Sequence, residues 1–219
     1  MSPRPKGRTA KSDLKERIIE AAWQQIAREG APALSLRAIA RDLGIAAPSI
    51  YNYFADRDAL VTALIYEAYE SLGSHQLASC EGLDAGDLKG RFFCIGRAYW
   101  EWAMRYPQRY FLIFGTPIPG YVAPMDITEP VAARSLTALI SAVEDSYKSG
   151  HLKTGLIEKS LTGGDLEGQE FLTVAILIWT RVHGLVSIEI SKNFPPFCPA
   201  GEKLYEIEMS LLYEQFFNE

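Results

Sequence analysis

The chain has 219 residues, of which 48% are hydrophobic and 22% are charged, and this composition argues against a disordered, collagen-like or membrane-embedded class. The net charge of −5 is unevenly distributed, since residues 1–60 carry +3, the remaining 159 residues carry −8, and the first 17 residues alone carry +4. A basic end on an acidic chain suggests a polyanionic partner at that end, and a solubilising tail is the alternative.

Four helices are predicted in the first 78 residues. Asp13 followed by Glu16 is typical of a helix start, and Gly30 ends the apolar periodicity that follows. Ser35 can cap a second helix of two turns, and Asp56 can cap a fourth, longer one. The predicted helices span 13–29, 36–43, 47–53 and 57–78.

The periodicity stays helical in the rest of the chain. Prolines predict a long loop over 115–130, and glycines predict another break over 149–164. No long segment alternates as a strand does. Further helices are predicted at 84–105, 108–114, 129–148, 166–191 and 200–217, which makes about nine helices and an all-α fold.

The second and third helices have the spacing of a helix-turn-helix, in which the second helix of the motif enters the major groove of DNA. Ala40 places a small side chain where the two helices cross. Gly44 supplies the positive φ that the tight turn between them requires. The pattern therefore predicts a DNA-binding element near the basic end of the chain.

Three segments around this turn carry a family signature: Leu36–Ala40, Ser49–Phe54 and Asp56–Leu60. Here the sequence resembles the DNA-binding domain of the TetR family of bacterial transcriptional regulators. Residues 179–184, with Trp179, His183 and Gly184, resemble one subgroup of TetR-like C-terminal domains, the Trp-His-Gly type. The resemblance implies a basic disordered arm over 1–12, a helix-turn-helix DNA-binding domain over 13–56, and an effector-binding and dimerisation domain over 57–219.

Groove geometry and the resemblance together indicate which residues contact DNA. The Tyr51 hydroxyl can donate a hydrogen bond to a phosphate, and Tyr53 can do the same with its hydroxyl or place its ring in the core. Asn52 can pair with adenine. The predicted DNA contacts are Ser35, Arg37, Ala47, Pro48, Ser49, Tyr51, Asn52, Tyr53 and Arg57, and Arg4, Lys6 and Arg8 of the arm can reach the minor groove.

The sequence departs from the family pattern at the start of the recognition helix. Ala46 stands where the family usually has a Ser or Thr cap, and a lost cap costs about 0.5–2 kcal/mol. Ala47 follows at a position that is often polar or basic. Fewer polar groups leave fewer direct base contacts, so we expect readout to depend in part on DNA shape.

Residues 92–121 hold ten of the 25 aromatic residues. Aromatic rings around an apolar cavity are typical of a small-molecule site, although an ordinary core is the alternative for each ring. The resemblance implies a pocket in this domain for a small apolar or aromatic effector. The predicted ligand-binding residues are Tyr99, Trp100, Tyr110, Phe111, Phe114, Trp179 and His183.

The resemblance further implies a homodimer through the last two helices, a palindromic DNA operator, and repression relieved by the effector. No phosphate-binding loop, peptidase motif or nucleophile elbow is present, so we expect no enzyme activity, no cofactor and no metal. The longest apolar run, residues 171–179, spans nine residues interrupted by Thr173, against the roughly 20 that a bilayer requires. No signal-peptide core follows the N-terminus, so a cytoplasmic location is expected. Two alternatives stay open: a thiol-based redox sensor using Cys80 and Cys94, and a helical protein-interaction module.

Overall fold

The computed structural model describes residues 8–84, 86–155, 157 and 169–218. Within these residues the secondary structure is helical apart from one isolated bridge, which confirms the all-α prediction. The helices are α1 (Arg8–Glu29), α2 (Leu36–Asp42), α3 (Ala47–Ile50), α4 (Arg57–Ser79), α5 (Leu88–Arg105), α6 (Pro107–Phe114), α7 (Met125–Ser135), α8 (Thr137–Lys148), α9 (Glu170–Ile190) and α10 (Gly201–Phe216).

The boundaries predicted for the first and third helices differ from those in the structure. α1 begins at Arg8 instead of residue 13, because Ala10 and Lys11 are good helix formers and continue the helix past the predicted cap. The third helix was predicted over 47–53 but ends at Ile50. The Ile50 carbonyl accepts the backbone N–H groups of both Tyr53 and Phe54, at 3.0 and 3.1 Å, so the chain closes in a tight turn.

The predicted loop over 115–130 and helix over 129–148 are wrong in their boundaries. The Pro124 carbonyl accepts the N–H groups of Ile127 and Thr128, each at 3.0 Å, and this starts α7 well before residue 129. Pro130 lies inside α7, where a proline costs one hydrogen bond without ending the helix. A break at Leu136 then separates α7 from α8.

The chain divides into two compact units. The first comprises Met1–Tyr69 and Gln108–Ala132, and the second comprises Glu70–Pro107 and Ala133–Glu219. α4 therefore contributes to both units, and the predicted domain boundary between residues 56 and 57 does not coincide with the division. The first part of α4 belongs with the helix-turn-helix because Leu60, Val61 and Leu64 are fully buried in its core.

The core of the first unit is built from the inner faces of α1 to α4. Ala40 is buried where α2 packs, as its small size predicts. The largest buried side chains of this core are Ile18, Trp23, Ile26, Leu36, Ile39, Ile50, Phe54, Leu60 and Leu64. The apolar residues that helical spacing places on one face of these helices therefore face the core.

In the second unit α5, α8, α9 and α10 pack on one another. Its core includes Phe92, Ile95, Tyr99, Trp102, Val143, Val174, Ile178, Val186, Tyr205, Met209 and Leu212. A backbone bridge between Leu152 and Phe217 joins the end of α10 to the segment after α8. That segment begins the predicted break at 149–164, of which residues 156 and 158–164 lie outside the described residues.

α9 is the described helix whose length and hydropathy would by themselves allow it to cross a membrane. The core helices of water-soluble proteins pass the same test. Val174, Ile178, Val182 and Val186 of α9 are buried in the second unit, and Arg181 in its middle forms a 2.6 Å ion pair with Glu208 of α10. α9 therefore packs one face into the second unit and is joined to α10 by an ion pair.

Candidate DNA-binding surface and effector cavity

The backbone of the helix-turn-helix is fixed by the residues that the sequence singled out. The Ser35 hydroxyl caps α2 by accepting the N–H of Ala38 at 3.4 Å. The Ser35 N–H donates to Oε1 of the buried Gln25 at 3.1 Å, which ties the start of α2 to α1. Gly44 has φ of +65°, and the N–H of Ile45 closes the turn on the Ala40 carbonyl at 3.0 Å.

Four of the predicted DNA contacts surround one open depression of about 320 Å³. They come from three places in the sequence: Ser35 and Arg37 at the start of α2, Tyr51 after α3, and Arg57 at the start of α4. Leu34, Leu36 and Asp56 complete its lining. The site therefore groups a hydroxyl, a phenol and two guanidinium groups, all of which can donate hydrogen bonds to DNA phosphates.

The two arginines at the depression differ in their contacts. Arg57 donates from Nη2 to the carbonyls of Ala31 and Pro32, at 3.3 and 3.1 Å, and its Nη1 lies 3.7 Å from Asp58. Arg37 is exposed and makes no hydrogen bond or ion pair with the described part of the chain. Arg37 is therefore the cation at this surface that is available to a phosphate, whereas Arg57 also holds the turn before α2.

The remaining predicted DNA contacts lie on or beside α3. Ala47, Pro48 and Asn52 are exposed, and Ser49 is partly buried. Tyr51 is 43% exposed, whereas Tyr53 is partly buried and packs against the core. Of the two readings of Tyr53, the core contact is the one the structure favours. Of the arm residues, Arg4 and Lys6 lie outside the described residues, and Arg8 begins α1.

Sequence reasoning did not include Arg41 among the DNA contacts. Its side chain is 79% exposed on α2, outside the depression, and it lies 3.9 Å from Asp42. Arg41 therefore stands apart from the predicted phosphate contacts and is a charge-matched comparison for Arg37 on the same helix.

The second unit contains a small, partly open cavity of about 20 Å³ between α4, α5, α8, α9 and α10. Tyr99 and Trp179, both predicted ligand-binding residues, line it. The remaining lining residues are Gln76, Phe92, Ile95, Gly96, Leu139, Ile178, Val182 and Met209. The cavity is mostly apolar, with Gln76, Tyr99 and Trp179 as its polar groups.

His183 lies behind the cavity wall. Its Nδ1 is 2.8 Å from the hydroxyl of Tyr99, and its ring stacks on Trp179 with a centroid distance of 5.0 Å. Burial lowers the pKa of His183, so the imidazole is neutral at pH 7. A neutral ring can either donate to or accept from the Tyr99 hydroxyl.

The other four predicted ligand-binding residues are not brought to this cavity. Trp100 donates from Nε1 to Glu189 at 2.8 Å, and the guanidinium of Arg97 lies over its ring. Tyr110, Phe111 and Phe114 belong to the first unit, where the rings of Tyr110 and Phe114 are 5.2 Å apart. The aromatic stretch 92–121 is therefore divided between two cores.

Sequence reasoning missed Gln76, the most distinctive polar group of the cavity. Gln76 is 3% exposed, and its Oε1 has no hydrogen-bond partner among the described residues. Because glutamine is a polar residue, its type alone gives no indication that this side chain is buried. Its spacing of four residues after the buried Leu72 places it on the same inner face of α4.

The cysteines offer little support for a redox centre. Burial raises the pKa of the Cys94 thiol, and the nearby Cys80 and Asp87 act in the same direction. A raised pKa lowers the fraction of reactive thiolate at neutral pH. All three cysteines are reduced, and the described residues contain no group of three metal-binding side chains.

The comparison with known proteins decides the family. The family model described as bacterial regulatory proteins of the tetR family matches residues 18–64, and a model described as a tetracyclin repressor-like C-terminal domain matches residues 92–212. The chain belongs to the TetR family. It is thus a helix-turn-helix transcriptional regulator and not an enzyme.

Relatives support the assignment along the whole chain. The HTH-type transcriptional regulators Rv1816 of Mycobacterium tuberculosis and Mb1846 of Mycobacterium bovis are 33% identical over 196 residues, which is 84% of this chain and 84% of each relative. The crystal structure of the regulatory protein SCO4313 has a TM-score of 0.77 at 35% identity and covers 97% of this chain and 100% of its own. A protein of unknown function from Rhodococcus sp. RHA1 shares the fold, with a TM-score of 0.75 at 18% identity over the full length of both chains.

Proposed function

We propose that this TetR-family regulator binds a palindromic operator as a homodimer and is released from it by a small apolar effector, which makes it a ligand-controlled repressor of the cytoplasm. The observation that supports the proposal most strongly is the grouping of Ser35, Arg37, Tyr51 and Arg57 around one open depression. These residues are separated in sequence, and a folded helix-turn-helix brings their donors together.

In this proposal the depression receives one phosphate of the DNA backbone. Arg37 supplies the charge, and the hydroxyls of Ser35 and Tyr51 supply hydrogen bonds that set the position of the protein on the duplex. α3 then lies in the major groove with Pro48 and Asn52 facing the bases, where Asn52 can pair with adenine and Pro48 can contact a thymine methyl. Tyr53 acts from the core side and supports α3.

A dimer follows from the limited reach of α3. One four-residue helix contacts few bases, so two copies are needed to read a site, and two-fold symmetry matches half-sites about one helical turn or more apart. α9 and α10 carry exposed apolar side chains that a partner copy would cover: Ile176, Leu177, Ile188, Ile207 and Leu211. Such side chains on adjacent helices are typical of an interface between subunits.

Effector control is assigned to the cavity of the second unit. Ile178, Trp179 and Val182 line the cavity from α9, the same helix that carries Ile176 and Leu177 on its exposed side. A ligand that displaces α9 would alter the proposed dimer contact and with it the spacing of the two recognition helices. The stacking of Trp179 on His183 supports the Trp-His-Gly subgroup as the finer assignment of this domain.

Selection from random-sequence DNA, followed by sequencing, tests the proposal. The wild-type protein is expected to enrich a palindrome, and Arg37→Ala is expected to enrich the same palindrome in lower yield, because it loses a phosphate contact but no base contact. Arg41→Ala removes an equally charged side chain of the same helix that lies outside the depression and is expected to keep the wild-type yield. Enrichment of no sequence at low salt would overturn DNA binding through this surface.

A further inference from the structure

The small cavity and a larger groove on the surface of the second unit share one wall, the side chain of Met209. The groove has a volume of about 270 Å³ and lies between α5 and α10. Its lining residues are Phe93, Arg97, Tyr205, Glu206, Met209 and Ser210. Met209 is 3% exposed and is the residue that lines both the cavity and the groove.

Gly96 allows Met209 to occupy this position. A Cβ at residue 96 would collide with the Met209 methyl group and lie 2.8 Å from its sulfur. The backbone of α5 is held to α10 at the same level, because the Tyr205 hydroxyl donates to the Gly96 carbonyl at 2.6 Å. Tyr205 therefore fixes the wall, while Met209, with three rotatable bonds, is the part that can move.

Neither space by itself combines the volume of an effector site with a buried hydrogen-bond acceptor, because Gln76 lines the cavity and not the groove. The cavity of about 20 Å³ accommodates one hydroxyl-sized group, since a single water requires about 10–15 Å³. Small-molecule sites generally measure roughly 300–1,000 Å³. The groove alone is already close to the lower end of that range, and rotation of Met209 would join it to the cavity and so add the buried Gln76 to the site.

Gln76 gives the inner end of the joined site its chemistry. Its Oε1 is buried at the cavity without a hydrogen-bond partner among the described residues, and an amide oxygen accepts hydrogen bonds. An unmade hydrogen bond of a buried polar group costs free energy that a ligand donor would recover. The apolar side chains of Phe92, Ile95 and Val182 surround it and favour a hydrocarbon body behind that donor.

We propose that the effector is an elongated apolar molecule with a terminal hydrogen-bond donor, such as an alcohol, which enters from the groove, displaces Met209 and donates to Gln76. This inference rests on the proposed effector response and specifies its ligand class and entry route. It predicts that donor recognition depends on Gln76 and that the rate of entry depends on Met209.

Two isomeric probes of equal size separate the donor from the apolar body: 1-octanol, which has a hydroxyl, and heptyl methyl ether, which has none. Binding to the full-length protein is followed by tryptophan fluorescence, because Trp179 lines the cavity. The wild type is expected to bind 1-octanol about tenfold more tightly than the ether, and Gln76→Leu is expected to abolish that difference. A tenfold preference is the size expected for one hydrogen bond in an apolar site.

Stopped-flow mixing tests the route. Met209→Ala is expected to accelerate 1-octanol association several-fold, whereas Met104→Ala, which shortens a methionine of α5 that lines neither space, is expected to leave the rate unchanged. Equal affinity for the two isomers, absence of binding up to their solubility, or a preference that survives Gln76→Leu would overturn the ligand class. An unchanged association rate in Met209→Ala would overturn the route.

Failure of this inference is distinguishable from failure of the proposed function. Operator binding by the same wild-type preparation is measured in the absence of either probe. An intact operator complex together with no donor preference overturns only the ligand assignment. A preparation that selects no operator overturns the proposed function, whatever the two probes do.

Discussion

The hydroxyl of Tyr99 on α5 lies 2.8 Å from Nδ1 of His183 on α9. This contact joins the two helices beside the cavity, and the stacking of His183 on Trp179 continues it along α9. A partly buried hydrogen bond of this kind restricts where α9 can lie relative to α5. α9 also carries part of the proposed dimer face. The Tyr99–His183 contact therefore couples the position of that face to the position of α5 at the cavity.

The first prediction concerns the pH dependence of stability. Burial lowers the pKa of His183 below its usual 6.5, so between these two values the unfolded chain binds a proton that the folded chain does not. Stability is therefore expected to fall as the pH drops below about 7 and to keep falling until the pH reaches the lowered pKa. His183→Asn removes the titrating ring and should flatten this part of the curve in urea unfolding between pH 5 and 8. An identical curve for the variant would contradict the assignment.

Gly44→Ala tests the turn of the helix-turn-helix. No atom of the described residues lies within 4 Å of a Cβ at this position, so the cost comes from the φ of +65° alone, about 1–2 kcal/mol. Gly44→Asn should cost less, because asparagine adopts this conformation more readily. Chemical denaturation measures both variants. Equal losses would show that something other than backbone strain limits the position.

Arg57→Ala tests whether Arg57 stabilises the fold or acts only in phosphate binding. Its guanidinium donates to the carbonyls of Ala31 and Pro32, so the substitution is expected to cost about 1–2 kcal/mol of unfolding free energy. Arg37→Ala, which removes an exposed side chain without such partners, should stay within about 0.5 kcal/mol of wild type. Unfolding in urea without DNA measures both. Equal stability of the two variants would restrict Arg57 to DNA binding.

Leu211→Glu tests the proposed dimer. Leu211 is 49% exposed on α10, and a charge there should dissociate two copies that bury it. Leu77→Glu is the matched control, since Leu77 is 51% exposed but lies on α4. Sedimentation should give twice the monomer mass of 24.4 kDa for the wild type and for Leu77→Glu, and the monomer mass for Leu211→Glu. A monomeric wild type would remove the basis for a palindromic operator.

Local signals in the sequence predicted the helix-turn-helix well. The Ser35 cap, the positive φ of Gly44 and the burial of Ala40 are each determined by a residue and its immediate neighbours, and each is found in the structure. Pro130 shows where such rules end. Its residue type predicts a loop, but the helix that starts after Pro124 continues past residue 130.

The effector site was less predictable because it depends on tertiary packing. Trp100 and Tyr110 lie in the same aromatic-rich stretch as Tyr99, but only Tyr99 faces the cavity. Proximity in sequence does not imply a shared core once a chain divides into two units. Gln76 and Met209 come from α4 and α10, and no periodicity in one helix reveals that the other packs against it.

The salt dependence of operator binding tests the central claim most directly. Fluorescence anisotropy with the selected operator, from about 50 to 200 mM salt, gives a slope that counts the phosphate charges neutralised by the protein. For each protomer, Arg37→Ala is expected to weaken binding and lower the slope by about one, because its side chain is the available cation at the depression. Arg41→Ala should change both far less. An Arg37→Ala variant with wild-type affinity and slope would contradict the account of how this surface engages DNA.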